Sequence, residues 1–196
     1  LMENAARAVL DTMLGIYPDL QRKKILIVTG PGNNGEDGLV LARQLVVQNF
    51  DVSVNVLPSP SDRTTSYRQK VSTIDALGVK IVSNKIETMS DYDVIVDGIF
   101  GIALSRPPQG NYAEAIKEIN ASGATVISLD MPSGIEAEYG KKLDLAVFAH
   151  YCVCFGLIKN GNVLSDGYTH CKKLHISSLL APYSPESQTL AVTFLN

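Results

Sequence analysis

Two apolar runs end in an aspartate, Val94-Ile95-Val96-Asp97 and Ile127-Ser128-Leu129-Asp130. Each acid is followed by a glycine-containing stretch, Gly98-Ile99-Phe100-Gly101 and Met131-Pro132-Ser133-Gly134. A third stretch, Thr29-Gly30-Pro31-Gly32-Asn33-Asn34-Gly35-Glu36-Asp37-Gly38, sets two asparagines inside a glycine-rich turn. An amide oxygen, a carboxylate and a hydroxyl are hard oxygen ligands, so Asn34, Asp97 and Ser133 are candidates to hold a cation. Asp130 is then left for proton transfer. The competing reading has each carboxylate capping its own turn and the asparagines capping the helix that follows. Two such acids beside an Asn-Asn turn favour a shared polar cluster. Arg106, in Leu104-Ser105-Arg106-Pro107-Pro108, is a candidate phosphate contact or an ordinary solvated charge.

These residues need elements that bring them to one place. The glycine-rich stretch follows the apolar run Lys24-Ile25-Leu26-Ile27-Val28 and precedes Leu39, Leu41, Ala42, Leu45 and Val46 at helical spacing. A strand running through a glycine turn into a helix makes an anion site, because the first backbone amides of a helix lack intrahelical partners. Gly30, Gly32 and Gly35 also satisfy G-x-G-x-x-G. A dinucleotide fingerprint wants an acid about 20 residues further on, closing the second strand. Here that strand, Asp51 to Leu57, runs into Leu57-Pro58-Ser59-Pro60. The missing acid disfavours a hydride-transferring dehydrogenase. Pro58 and Pro60 enforce a loop, a candidate mobile rim.

The remaining elements alternate. Apolar spacing predicts a helix over Leu1 to Leu14 and another from the glycine turn to about Asn49. Further helices are predicted over Thr64 to Leu77 and Tyr112 to Ala121, and strands over Val79 to Val82, Tyr92 to Asp97, Thr125 to Asp130, Leu145 to Phe155 and Leu174 to Ile176. This alternation means an α/β, doubly wound, mostly parallel sheet with helices on both faces. Such a sheet gathers its strand-to-helix loops at one edge, where ligands bind.

At 196 residues the chain is one domain of ordinary size, with 45% apolar and 19% charged residues. A net charge of −3 gives no general attraction to nucleic acid or anionic lipid. The apolar run Leu145 to Ile158 is interrupted by His150 and is too short to span a bilayer. Cys152, Cys154 and Cys171 are odd in number, and their spacing suits neither a disulfide framework nor zinc; buried thiols in a reducing cytoplasm fit better. The chain opens on Leu1 rather than Met and ends on Ala191 to Asn196 without a polar tail, so it reads as a fragment or a processed chain, with room for a segment after Asn196.

The chain resembles the NAD(P)H-hydrate epimerases, the YjeF N-terminal domain family. The likeness rests on Leu1-Met2-Glu3-Asn4-Ala5-Ala6, on Gly30 to Gly38, on Val96-Asp97-Gly98-Ile99-Phe100-Gly101 through Pro107, and on Leu129-Asp130-Met131-Pro132-Ser133-Gly134. Phe155-Gly156-Leu157-Ile158-Lys159-Asn160-Gly161 is a weaker fifth piece. The resemblance implies a Rossmann-like fold, a homodimer, and epimerisation of hydrated NADH or NADPH at the carbon bearing the added hydroxyl. It implies a potassium ion (K+) on Asn34, Asp97 and Ser133. It implies substrate contacts along Asn33, Asn34, Gly35, Glu36 and Asp37, along Gly101, Ile102, Ala103, Leu104, Ser105, Arg106 and Pro107, and at Asp130. Domains of this family also occur fused to a dehydratase that repairs the same metabolite.

Inverting that carbon requires its C–O bond to break and reform on the other face. One carboxyl that protonates the departing hydroxyl and later deprotonates water suffices, and Asp130 is the expected group. Two positions depart from the family pattern. Glu36 stands where glycine is usual, and Gly101-Ile102-Ala103 replaces a G-x-G-type loop. A charge at Glu36 beside a pyrophosphate is costly, roughly 4 kcal/mol at 4 Å and an effective dielectric of about 20. A side chain turned away to favour the helix N-terminus is harmless. A second reading is a binding module without turnover, like relatives among RNA decapping factors and lipid-transport-associated proteins. The charge balance and the full set of cation ligands favour the enzyme.

Overall fold

The computed structural model describes residues 1–59, 63–83, 89–179 and 190–193. Eight strands form one sheet: β1 (Lys24–Thr29), β2 (Asp51–Val56), β3 (Lys80–Ser83), β4 (Val94–Gly98), β5 (Thr125–Leu129), β6 (Ala149–Phe155), β7 (Cys171–Ser177) and β8 (Leu190–Thr193). Their order is β3-β2-β1-β4-β5-β6-β7-β8, and every pairing is parallel except β7 with β8. The helices are α1 (Met2–Ile16), α2 (Asn33–Val47), α3 (Thr65–Ala76), α4 (Asn111–Ala121), and the short α5 (Asn160–Val163) and α6 (Ser165–Thr169).

The doubly wound sheet follows from side chains that alternate across each strand. In β1, Ile25 and Ile27 join the core made with α1, α2 and α3, through residues such as Leu10, Leu41 and Tyr67. Leu26 and Val28 join the opposite core, with Ala115, Ile116 and Ile119 of α4. A strand buried on both faces must be apolar throughout, which is why β1 and β4 read as unbroken runs. Each fully buried aliphatic side chain is worth about 1.5–3 kcal/mol.

Most predicted elements lie within two or three residues of the observed ones. The strand expected over Leu145 to Phe155 is an exception, since β6 starts only at Ala149. The preceding backbone finds partners elsewhere: Val147 N donates to Ser133 O at 2.8 Å, and Phe148 N to Asn120 Oδ1 at 2.8 Å. That detour ties the loop after β5 and the end of α4 to the sheet. Of the proline loop after β2, Pro60 lies outside the described residues, as do Phe194, Leu195 and Asn196 at the end of the chain. The three cysteines are free and buried. No described helix is long and apolar enough to cross a membrane.

Candidate active site

The strand order reverses between β1 and β4, and loops leaving the carboxyl ends of β1, β4 and β5 meet there. The glycine turn after β1 is pressed against the loop after β4. Gly30 N donates to Gly98 O at 3.0 Å, and a Cβ at Gly30 would stand 1.9 Å from Ile99 O. A Cβ at Gly35 would stand 2.1 Å from Gly30 O. Both positions therefore demand glycine for close approach. In α2 the Glu36 amide donates to Gly32 O at 3.1 Å, so the amides before it have no acceptor within the helix. Asn34 does not cap its own helix. Its Nδ2 donates across the loops to Phe100 O at 2.9 Å.

Asp97, at the end of β4, is completely buried. Its Oδ1 accepts from Ser133 Oγ at 2.5 Å and from Ile99 N at 3.2 Å; its Oδ2 accepts from Ser128 Oγ at 2.8 Å and from Ser133 N at 2.9 Å. Burial pushes the Asp97 carboxyl up from its ordinary value, against the pull of these donors. Ser133 Oγ also lies 2.8 Å from Phe100 N and 3.2 Å from Phe100 O. Asn34, Asp97 and Ser133, which the sequence grouped, thus converge around the Phe100 peptide. Among the described residues no group of three His, Cys, Asp or Glu side chains is placed to hold a metal. One carboxylate among neutral oxygens is a set of hard oxygen donors.

Asp130 follows β5 and is the first residue of the next loop, at φ 63°. That left-handed conformation is uncommon outside glycine, and aspartate tolerates it better than most. It is fixed by Asp130 N donating to Val153 O at 2.8 Å, while Asp130 O accepts from Asn162 Nδ2 at 3.1 Å. The side-chain Oδ1 accepts from Phe155 N at 3.0 Å and is ion-paired with Lys159. Lys159 Nζ also donates to Phe155 O at 2.9 Å and lies 3.5 Å from Cys154 Sγ. Burial alone would pull the Lys159 ammonium down; Asp130 outweighs it, and the net effect is upward. The sequence reading assigned no role to Lys159 or Asn162. The signal available was the fifth family-like segment, Phe155 to Gly161, which contains Lys159.

Above these groups opens a cavity of about 1040 Å³. Its wall includes Gly32, Asn33, Asn34, Asp37 and Asp130, together with every residue from Gly101 to Pro107. Arg106 is exposed on its rim. Phe100 and Tyr112, with ring centroids 5.0 Å apart, and Phe155 add flat apolar surface. Asp97 and Ser133 are buried outside the lining. Asp37 faces the cavity half-buried, and its carboxyl is pushed up to about 7 by burial, with the charges of Asp130 and Glu36 adding.

Of the two placements open to Glu36, the structure has the side chain turned away from the cavity. Glu36 and Gly35 are absent from the cavity wall. The Glu36 carboxylate is turned to α3, where Lys70 Nζ and Ser66 Oγ each donate to Oε2 at 2.8 Å and Thr64 Oγ1 donates to Oε1 at 2.8 Å. Burial raises its pKa, but Lys70, Ser66 and Thr64 more than offset that, and the net shift is downward. Glu36 is a tie between α2 and α3, so the charge clash feared beside a pyrophosphate does not arise.

Residues 1–161 match the family described as YjeF-related protein N-terminus. A protein of Limosilactobacillus fermentum named NAD(P)H-hydrate epimerase is 34% identical over 183 residues, covering 93% of this chain and 86% of the relative. A Thermofilum pendens protein named bifunctional NAD(P)H-hydrate repair enzyme Nnr is 35% identical; 93% of this chain aligns with 36% of that relative. The crystal structure of the yeast protein ynu0 (YNL200c) shares the fold with a TM-score of 0.80 at 22% identity, covering 99% of this chain and 89% of that one. Family match, sequence relatives and fold agree, and the chain belongs to the YjeF-related protein N-terminus family.

Proposed function

We propose that this chain is an NAD(P)H-hydrate epimerase, an isomerase that interconverts the R and S epimers of hydrated NADH and NADPH. The observation that carries the reading is one cavity that combines bare backbone at the glycine turn with a carboxylate, Asp130, held by a lysine. Relatives bearing the epimerase name at 34% and 32% identity, over most of this chain, support it.

The α2 amides and the rim residue Arg106 suit the negative diphosphate of a nucleotide. Phe100, Tyr112 and Phe155 suit its flat rings. Asn33, Asn34, Asp37, the residues Gly101 to Pro107 and Asp130 form the substrate contact set. Asp130 handles the proton at the carbon bearing the hydroxyl, and the substrate's own ring nitrogen supplies the electron pair that drives C–O cleavage. No redox change is involved.

Asn34, Asp97 and Ser133 would hold a potassium ion, whose chemistry there is to neutralise a carboxylate buried without a cationic side chain. Asp97 in turn holds Ile99 N, and Ser133 holds Phe100 N, on the cavity wall. Three buried thiols suit a reducing compartment, and the cytoplasm is the proposed location. A homodimer, working with a dehydratase that repairs the same metabolite, completes the reading; the bifunctional name of the Thermofilum pendens relative supports the second part.

The test is direct. Mixed epimers of hydrated NADH are supplied and their ratio is followed with and without the protein. Faster relaxation is the expected result. Binding without faster relaxation would mark a binding module and overturn the proposal.

A further inference from the structure

We propose that the cavity contains a divided pair of carboxyl groups, Asp37 as proton donor and Asp130 as proton acceptor, which together carry the hydroxyl from one face of the substrate ring to the other. The inference rests on the epimerase reading and assigns a second catalytic residue to the same site.

The two acids reach the cavity from separate elements, Asp37 from the first turns of α2 and Asp130 from the end of β5. Their surroundings are opposite. Asp130 is engaged on Oδ1 by Lys159 and by Phe155 N, and among the described residues no donor reaches its Oδ2. It is a positioned carboxylate with one oxygen left over. Asp37 has no hydrogen-bond donor on its carboxyl among the described residues, although it is half-buried. A half-buried carboxyl with no donor among the described residues has lost part of its solvation without a replacement, and the neutral acid is favoured. The charged side chains acting on it are Asp130 on the same cavity wall, Glu36 beside it and Lys70 on α3. Burial and the two acids win, and Asp37 is pushed up to about 7. Two carboxyls on one cavity wall, one ion-paired to a lysine and the other without a donor among the described residues, suit the roles of base and acid.

The step balances. As the C–O bond breaks, the ring nitrogen lone pair forms a C=N bond, and the departing oxygen takes the Asp37 proton and leaves as water. A second water adds on the opposite face. Its oxygen lone pair forms the new C–O bond, the C=N electrons return to nitrogen, and its surplus proton passes to Asp130 Oδ2. Turnover moves one proton from Asp37 to Asp130. Exchange with solvent restores the starting state, and the reverse reaction retraces the path from the state in which Asp130 holds the proton and Asp37 is ionised.

A single epimer of hydrated NADH, incubated in water labelled with heavy oxygen, tests this against the wild type, Asp37→Asn and Asp37→Glu. A wild type that does not speed interconversion overturns the epimerase reading itself. An active wild type is expected to place label in the hydroxyl, and Asp37→Asn is expected to bind the ligand within about threefold while losing roughly 100-fold or more in kcat. An Asp37→Asn variant that keeps kcat within about tenfold overturns the division of roles. The wild-type rate is expected to fall between about pH 6 and pH 9 as the donor ionises, and Asp37→Glu to shift that limb. A flat profile, or a limb that Asp37→Glu leaves in place, overturns the proposal even if Asp37→Asn fails to fold.

Discussion

Lys159, four residues past the end of β6, pairs its ammonium with Oδ1 of Asp130, the residue that follows β5. The pair links the loops after two parallel neighbouring strands and engages Oδ1, leaving Oδ2 without a donor among the described residues. The same ammonium bonds Phe155 O, so the loop after β6 is held by the acid it positions.

Lys159→Met is expected to lose both effects. Leaving a mostly buried carboxylate without its cation costs about 2–3 kcal/mol here, below the range for a fully buried pair because both side chains retain some exposure. The folded-state pKa of Lys159 is raised, so the contribution is complete below the unfolded value near 10.5 and is lost as pH rises through the higher folded value. Denaturant melts of wild type and variant at neutral pH, repeated near pH 11, measure it; the gap should narrow at the alkaline end. Lys159→Arg should restore part of the stability and of the epimerisation rate.

Asp37 works in the opposite direction. Its carboxyl is raised from 3.8 in the unfolded chain to about 7 in the fold. The native state therefore binds the proton more tightly, and stability falls as pH rises from about 4 to about 7. Asp37→Asn removes that penalty. The variant should be more stable than wild type by about 1–2 kcal/mol at pH 8, a figure discounted for partial exposure, and no more stable below about pH 4. Thermal melts across this pH range check it.

Ser133 connects Asp97 to the Phe100 peptide. Ser133→Ala leaves Asp97 Oδ1 with Ile99 N as its remaining donor and deprives Phe100 N of its acceptor. The expected cost is about 1–3 kcal/mol. Wild type should melt higher in potassium chloride than in choline chloride at equal ionic strength, and the variant should lose most of that difference. An identical melt in both salts would remove the cation from the scheme.

Two glycines of one turn should behave differently. Alanine at Gly30 would drive a methyl to 1.9 Å from Ile99 O, and backbone must move, at roughly 1–3 kcal/mol or more. Alanine at Gly32 meets nothing within 4 Å and sits on the cavity wall. Gly32→Ala should therefore fold within about 0.5 kcal/mol of wild type and yet bind nucleotide at least about tenfold more weakly. Calorimetric melts paired with ligand titration distinguish structural from ligand-facing glycine.

The sequence alone determined the frame of the site. Strand and helix periods are local, and a parallel sheet sends all its strand-to-helix loops to one edge, so Asp97, Asp130 and the glycine turn had to meet. The grouping of Asn34, Asp97 and Ser133 was legible for the same reason. The tertiary structure decided the partners of each charge. Nothing in local spacing says that Lys159 returns to Asp130, that Glu36 turns to Lys70 on a different helix, or that Asp37 finds no donor among the described residues. It also decided that the segment before Ala149 bonds to Ser133 and Asn120 instead of extending β6. An apolar run announces burial, but the partner of each buried polar group is set by which loops the finished sheet brings within 3 Å of one another, a long-range outcome that a short window of sequence does not encode.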